Sequence, residues 1–170
     1  MEPIVNKVTN SALVTLDLED YIPKTGDIYR LDVVDGLYEG LILREKEFRA
    51  WISAKAKEII QPIVYVSNTS DGILPNWVFM LVSSVLNKES KQVFIGSEKD
   101  CLEAILMKRV DQEFLSTLKS DKIVVKGCAK VELTQEFYGR LVQLLIPHAT
   151  SIMYGEPCST VPIYKAQKKP

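Results

Sequence analysis

Residues 62–100 read PIVYVSNTSDGILPNWVFMLVSSVLNKESKQVFIGSEKD, and the fold turns on how they are parsed. PIVYVSN opens as a short apolar run rich in branched and aromatic residues, which reads as a buried strand. The polar stretch after it is a loop. LPNWVFMLVSSVL, 74–86, follows, with Pro75 suited to a first helical turn and apolar side chains on nearly every side, as in a buried helix. KQVFIG is a second strand. Ser97 with Asp100 three positions on resembles a capping box that opens another helix. The order is strand, helix, strand, helix.

The same alternation continues towards the C-terminus. CLEAILMKRVDQEFLSTLK is helical, DKIVVKGC a strand, and Thr134 an N-cap for QEFYGRLVQLLI, which Pro147 stops. TSIMYG is the fourth apolar strand. Four such strands alternating with helices imply a mainly parallel sheet covered on both faces by right-handed crossovers, a three-layer α/β/α sandwich. Upstream, Phe48, Trp51, Ile52 and Ile59 fall at helical spacing within 45–59. Leu13–Leu18 and Ile28–Val34, separated by the turn PKTGD, suggest a β-hairpin. The expected organisation is one α/β domain over 1–170, with a hairpin-containing part at 1–44 and a βα-repeat core at 45–170. No internal repeat is apparent in the residues.

Composition narrows the function classes. The chain has 170 residues, 21 basic and 22 acidic, for a net charge of -1. No basic field points to nucleic acid, and the KAQKKP tail reads as a solvated end. No apolar run approaches the roughly 20 residues of a membrane span. The N-terminus lacks the basic and apolar regions of a secretory signal, which makes a cytoplasmic location the expectation. Three cysteines, an odd number, argue against a secreted disulfide scaffold.

In open parallel sheets ligands bind beyond the carboxyl ends of the strands. Those ends carry Ser67, Thr69, Ser70 and Asp71 after the first core strand, Gly96 and Ser97 after the second, Cys128 after the third, and Glu156, Cys158, Ser159 and Thr160 after the fourth. The expectation is a crevice for a small molecule, an anion or a metal. In an enzymatic version Cys158 is nucleophile or ligand, and Glu156 or Asp71 handles protons. Ser67, Thr69, Ser70, Cys128, Ser159 and Thr160 would bind the ligand, with small residues at a helix N-terminus cradling negative charge. The plainer reading of 67–72 is turn and capping chemistry, and that of the cysteines is core packing.

The cysteine separations match no zinc spacing. The lone His148 should lie at the opposite, amino end of the strands, too far to serve as their base. Arg44 and Arg49 sit in a charged run that reads as a solvated helix face with local ion pairs, with substrate recognition as its alternative. Two rival functions remain open. One is a non-catalytic interaction module or homodimer meeting its partner through STVPIYK, 159–165, and the N-terminal hairpin. The other is a sugar-phosphate binding or isomerase-like protein, suggested by the Ser/Thr-rich loop.

GLILREKEFR, DGILPNWVFML, KGC and SIMYGEPCSTVPIYK, in that order, resemble the domain of unknown function 2480 family over roughly residues 5–165. The resemblance implies a small cytoplasmic bacterial protein. It supplies no established catalytic residue, cofactor or metal.

Overall fold

The computed structural model describes residues 13–24, 26–156 and 158–167. The chain forms two compact units, 23–104 and 1–22 with 105–170. Each has its own sheet and its own apolar core.

In the unit formed by 23–104, β2 (Ile28–Asp32), β3 (Ile63–Ser67) and β4 (Gln92–Ile95) make a three-stranded parallel sheet in that order. Helix α1 (Glu45–Glu58) follows β2, and α2 (Trp77–Lys88) joins β3 to β4. Phe48, Ile52 and Ala56 recur every four residues on α1, and Val78, Val82 and Leu86 do so on α2. Both stripes close on Leu31, Val64 and Val66, the burial that holds helices of this length in place. Ser97 and Asp100 do form the capping box at the start of α3 (Glu98–Arg109).

In the other unit, β1 (Leu13–Asp17), β5 (Lys122–Lys126) and β6 (Ser151–Glu156) lie parallel in that order, and β7 (Ser159–Lys165) adds antiparallel at the edge. Thr134 caps α4 (Gln135–Leu145) by accepting from the Phe137 N–H. Phe137, Leu141 and Leu145 pack with Ile123, Val125 and Ile152.

Two expectations are corrected. The apolar strands do not form the single sheet of a three-layer sandwich, since β3 and β4 belong to one sheet and β5 and β6 to the other. Nor do 13–18 and 28–34 form a hairpin. β1 pairs with β5 and β2 with β3, both in parallel. Parallel pairing buries Leu16 and Leu31 under helices, whereas an isolated hairpin would bury little on either side.

The two sheets repeat one plan. A first strand ends in an aspartate, Asp32 or Asp17, that caps a 3-10 turn by accepting from Val34 N–H or Glu19 N–H. A helical segment, a central strand, a helix and a third parallel strand follow. From 63 to 97 and from 122 to 156 the two correspond residue for residue without a gap. Val78, Val82 and Leu86 match Phe137, Leu141 and Leu145 as the buried positions of their helices. Asp32 pairs with Ser67 where Asp17 pairs with Lys126. Gly96 and Gly155 end the third strands with φ of 134° and 123°. The chain therefore contains a structural repeat whose apolar positions agree in kind and whose loops do not.

Candidate functional site

Each unit opens a hollow beside its central and third strands, and the two linings share three corresponding positions, Val66, Phe79 and Ile95 in one and Val125, Tyr138 and Tyr154 in the other. The first, about 280 Å³, lies in the unit that contains 105–170. Val125, Ile152, Met153 and Tyr154 line it from the sheet, Tyr138, Leu141 and Val142 from α4, and Ile163 from β7. Ile163 stands where the register of β6 and β7 shifts between Ile152 and Met153. Such a bulge re-aims neighbouring side chains.

Tyr138 and Tyr154 meet edge to face with ring centroids 5.7 Å apart. Gly127 lets them close: a Cβ there would stand 2.6 Å from the Tyr154 hydroxyl and 3.5 Å from that of Tyr138. Burial pushes the Tyr138 phenol up to about 12, helped by its hydrogen bond with Tyr154, against the opposing bond from the Cys128 backbone. It stays neutral at physiological pH and offers a hydrogen bond rather than a base.

Beside this hollow the strand ends carry an ionic row. Lys126 Nζ lies 2.9 Å from Asp17 Oδ2 and 3.8 Å from Glu156 Oε1. Lys130 lies 2.9 Å from Glu19, which also accepts from the Ala129 N–H. The Lys126 hydrogen bond holds Asp17 below the usual carboxylate range, and Lys130 does the same for Glu19. Three carboxylates against two ammonium groups leave the row net acidic. A further anion gains little here.

β5 and β6 are neighbours, so Cys128 and Cys158 do share one sheet end, as the sequence required of a paired-thiol site. Cys128 is half-buried against the core and Cys158 is exposed in the turn between β6 and β7. Among the described residues no three His, Cys, Asp or Glu side chains stand together as a metal site would need. Ser159 is exposed, and Thr160 points its hydroxyl at the Met153 sulfur, 3.6 Å away. Cys101 is fully buried, with its thiol pushed up to about 11 by burial, and is a packing residue.

The second hollow, about 350 Å³, lies in the unit 23–104, between Val66, Phe79 and Ile95, with Ser67, Asn68, Gly96 and Ser97 at its rim. Its loop has the turn chemistry expected of its composition. Asn68 Oδ1 accepts from the Ser70 N–H and hydroxyl, and Thr69 donates from both N–H and hydroxyl to Asp32. Asp71 is exposed. Burial pushes Asp32 upward, but hydrogen bonds from Thr69, the Val34 N–H and Arg30 together hold it below the ordinary range.

The predicted site residues thus fall into two groups, one per unit. Ser67, Thr69, Ser70 and Asp71 follow β3, while Cys128, Glu156, Cys158, Ser159 and Thr160 follow β5 and β6. Neither sheet carries both. Sequence reasoning missed Tyr138, Tyr154 and Ile163. Their signal is the correspondence of Phe79 with Tyr138 and Ile95 with Tyr154, which shows only once the repeat is seen. His148 lies in the 3-10 turn feeding the amino end of β6, as expected. Arg44 and Arg49 pair locally with Glu47 and Glu45.

Asp17, Glu19, Asp32 and Asp100 are all held below their ordinary values. Their stabilisation is fully present above about pH 5, beyond the ordinary carboxylate values, and is lost as pH falls through the lowered values. The melting temperature should therefore drop steeply below about pH 4. Asp32→Asn should melt lower than the parent at neutral pH and show a shallower acid drop. Parallel pH–melting curves for the two proteins would reveal an unchanged slope if this is mistaken.

A family model described as Protein of unknown function (DUF2480) matches residues 2–166. The chain belongs to the DUF2480 family. No curated protein and no solved structure matches it. No helix among the described residues of this DUF2480 chain is long and apolar enough to cross a membrane.

Proposed function

We propose that this DUF2480 protein binds a small, mainly apolar molecule in the hollow between α4 and the β6–β7 edge. One observation carries the reading. A space of about 280 Å³, walled almost entirely by apolar surface from Val125, Leu141, Val142, Ile152, Met153 and Ile163 and by the Tyr138 and Tyr154 rings, stays open to the outside. Small-molecule pockets are lined predominantly by hydrophobic and aromatic side chains of this kind. An apolar cavity of about 150 Å³ already holds one aromatic ring.

Of the chemistries raised by the sequence, a bound metal has the weakest support, since among the described residues no three His, Cys, Asp or Glu side chains stand together. An anion or a sugar phosphate would meet the net acidic row of Asp17, Glu19 and Glu156 with Lys126 and Lys130. For the enzymatic version with Cys158 as nucleophile or ligand, Cys158 is exposed in the β6–β7 turn, Glu156 lies beside Lys126, and Cys128 neighbours Tyr138.

The interaction-module reading rests on Val161 and Ile163 of β7, 60% and 48% exposed. Pro162 and the adjacent bulge blunt that edge against strand addition, so the ligand reading is preferred. Toluene is the probe. It should raise the melting temperature of the parent and shift the backbone amides of Met153, Tyr154 and Ile163. Val142→Trp, which fills the hollow, should stay folded and lose both responses. Toluene without effect on the folded parent, or acting equally on Val142→Trp, would sink the reading.

A further inference from the structure

We infer that the hollow at the ends of β3 and β4 is a second small-molecule site, for an uncharged ligand that presents a carbonyl or similar acceptor. The inference goes beyond the first pocket and rests on other residues, so either can fail alone. Position is the first ground. Val66, Phe79 and Ile95 stand where Val125, Tyr138 and Tyr154 line the hollow of the other unit, so the repeat opens both units at three corresponding positions.

Chemistry is the second ground. Apart from Gly96, which matches Gly155, the rim residues are replaced: Ser67, Asn68 and Ser97 take the places of Lys126, Gly127 and Glu156. Asn68 Oδ1 is held by the Ser70 N–H and hydroxyl at 3.1 and 2.8 Å. That fixes the amide and leaves its Nδ2 as a donor at the rim. Ser97 contributes nothing further, because Asp100 takes its N–H and hydroxyl at 2.9 and 2.7 Å. The same carboxylate already answers the positive end of α3, so a second anion at this rim meets a like charge. Ser67 accepts from Arg30 at 3.3 Å, and that guanidinium is already paired with Asp32 at 2.9 Å. The site therefore offers an apolar floor of Val66, Phe79 and Ile95, a donor at Asn68, and rim charges that already pair among themselves.

Acetophenone, one ring with a neutral acceptor, is the probe. In ¹⁵N-labelled protein it should produce saturable shifts at the amides of Asn68, Gly96 and Ser97. Asn68→Asp keeps the oxygen that holds Ser70 and exchanges only the donor for an acceptor. It should weaken acetophenone about tenfold at these amides, with the rest of the spectrum unchanged. Ile95→Trp, at a half-exposed position on the floor, should fill the hollow and abolish the shifts. Absence of saturable shifts at these three amides, an Asn68→Asp titration equal to the parent's, or benzoate binding more tightly than acetophenone would each overturn the assignment.

Discussion

Phe137→Ala should lower the unfolding free energy by about 3–5 kcal/mol, as large-to-small changes at fully packed aromatic positions do. Phe137 is 2% exposed in the first turn of α4, against Leu141, Leu145, Ile123, Val125 and Ile152. Its ring also meets Tyr138 edge to face at 5.7 Å. The neighbours belong to a sheet and a helix fixed by their own hydrogen bonds, so the site cannot collapse to refill the space. A loss of this size is a third or more of the total for many domains. Urea unfolding followed by far-ultraviolet circular dichroism measures it. A loss under about 1 kcal/mol would mean that α4 packs far more loosely than described. The matching change in the other unit, Val78→Ala, removes fewer buried atoms and should cost less. Near-ultraviolet spectra of Phe137→Ala should also show the tyrosine pair disturbed.

Gly155→Ala should cost about 3 kcal/mol or more, the sum of backbone strain and overpacking. Gly155 has φ +123°, a conformation that side chains rarely adopt, and a Cβ there would lie 2.7 Å from the Ser159 carbonyl oxygen. That oxygen belongs to the backbone of β7, where Ser159 pairs with Glu156 next to the Gly155–Thr160 pair, so it cannot rotate away. Gly96→Ala provides the internal comparison. Its φ of +134° carries similar strain, but its Cβ would meet the Asp100 side chain, which can move. The same unfolding measurement should therefore place Gly155→Ala well below Gly96→Ala. Equal losses would show that strain alone, and not the approach of β7, sets the cost.

The first hollow depends on this same edge, and its legibility in the sequence was uneven. Cys128, Glu156 and Cys158 stood out because thiols and acids after an apolar run are locally conspicuous, and the pairing of β5 with β6 does bring the two cysteine-bearing ends to one edge. Tyr138 and Ile163 carried no such mark. Each is an ordinary apolar-face residue until a helix and a bulged strand place it over an open space. Nothing local marks Asp17, and only the pairing of β1 with β5 sets it 2.9 Å from Lys126.

The sequence by itself determined the kind and place of most elements. Helical spacing at 48, 52 and 59, the Ser97–Asp100 box, the Thr134 cap and the apolar runs at 63, 92, 122 and 151 are local signals, and local hydrogen bonds and side-chain periods carry them. Tertiary structure alone decided which strands pair. β1 finds β5 across most of the chain while β2 takes β3, and the expected single sheet becomes two. Ladder hydrogen bonds join backbone groups that every residue shares, and a buried parallel strand shows the same apolar face to any neighbour. The choice therefore falls to the packing of whole helices on whole sheets, which no short stretch of sequence contains.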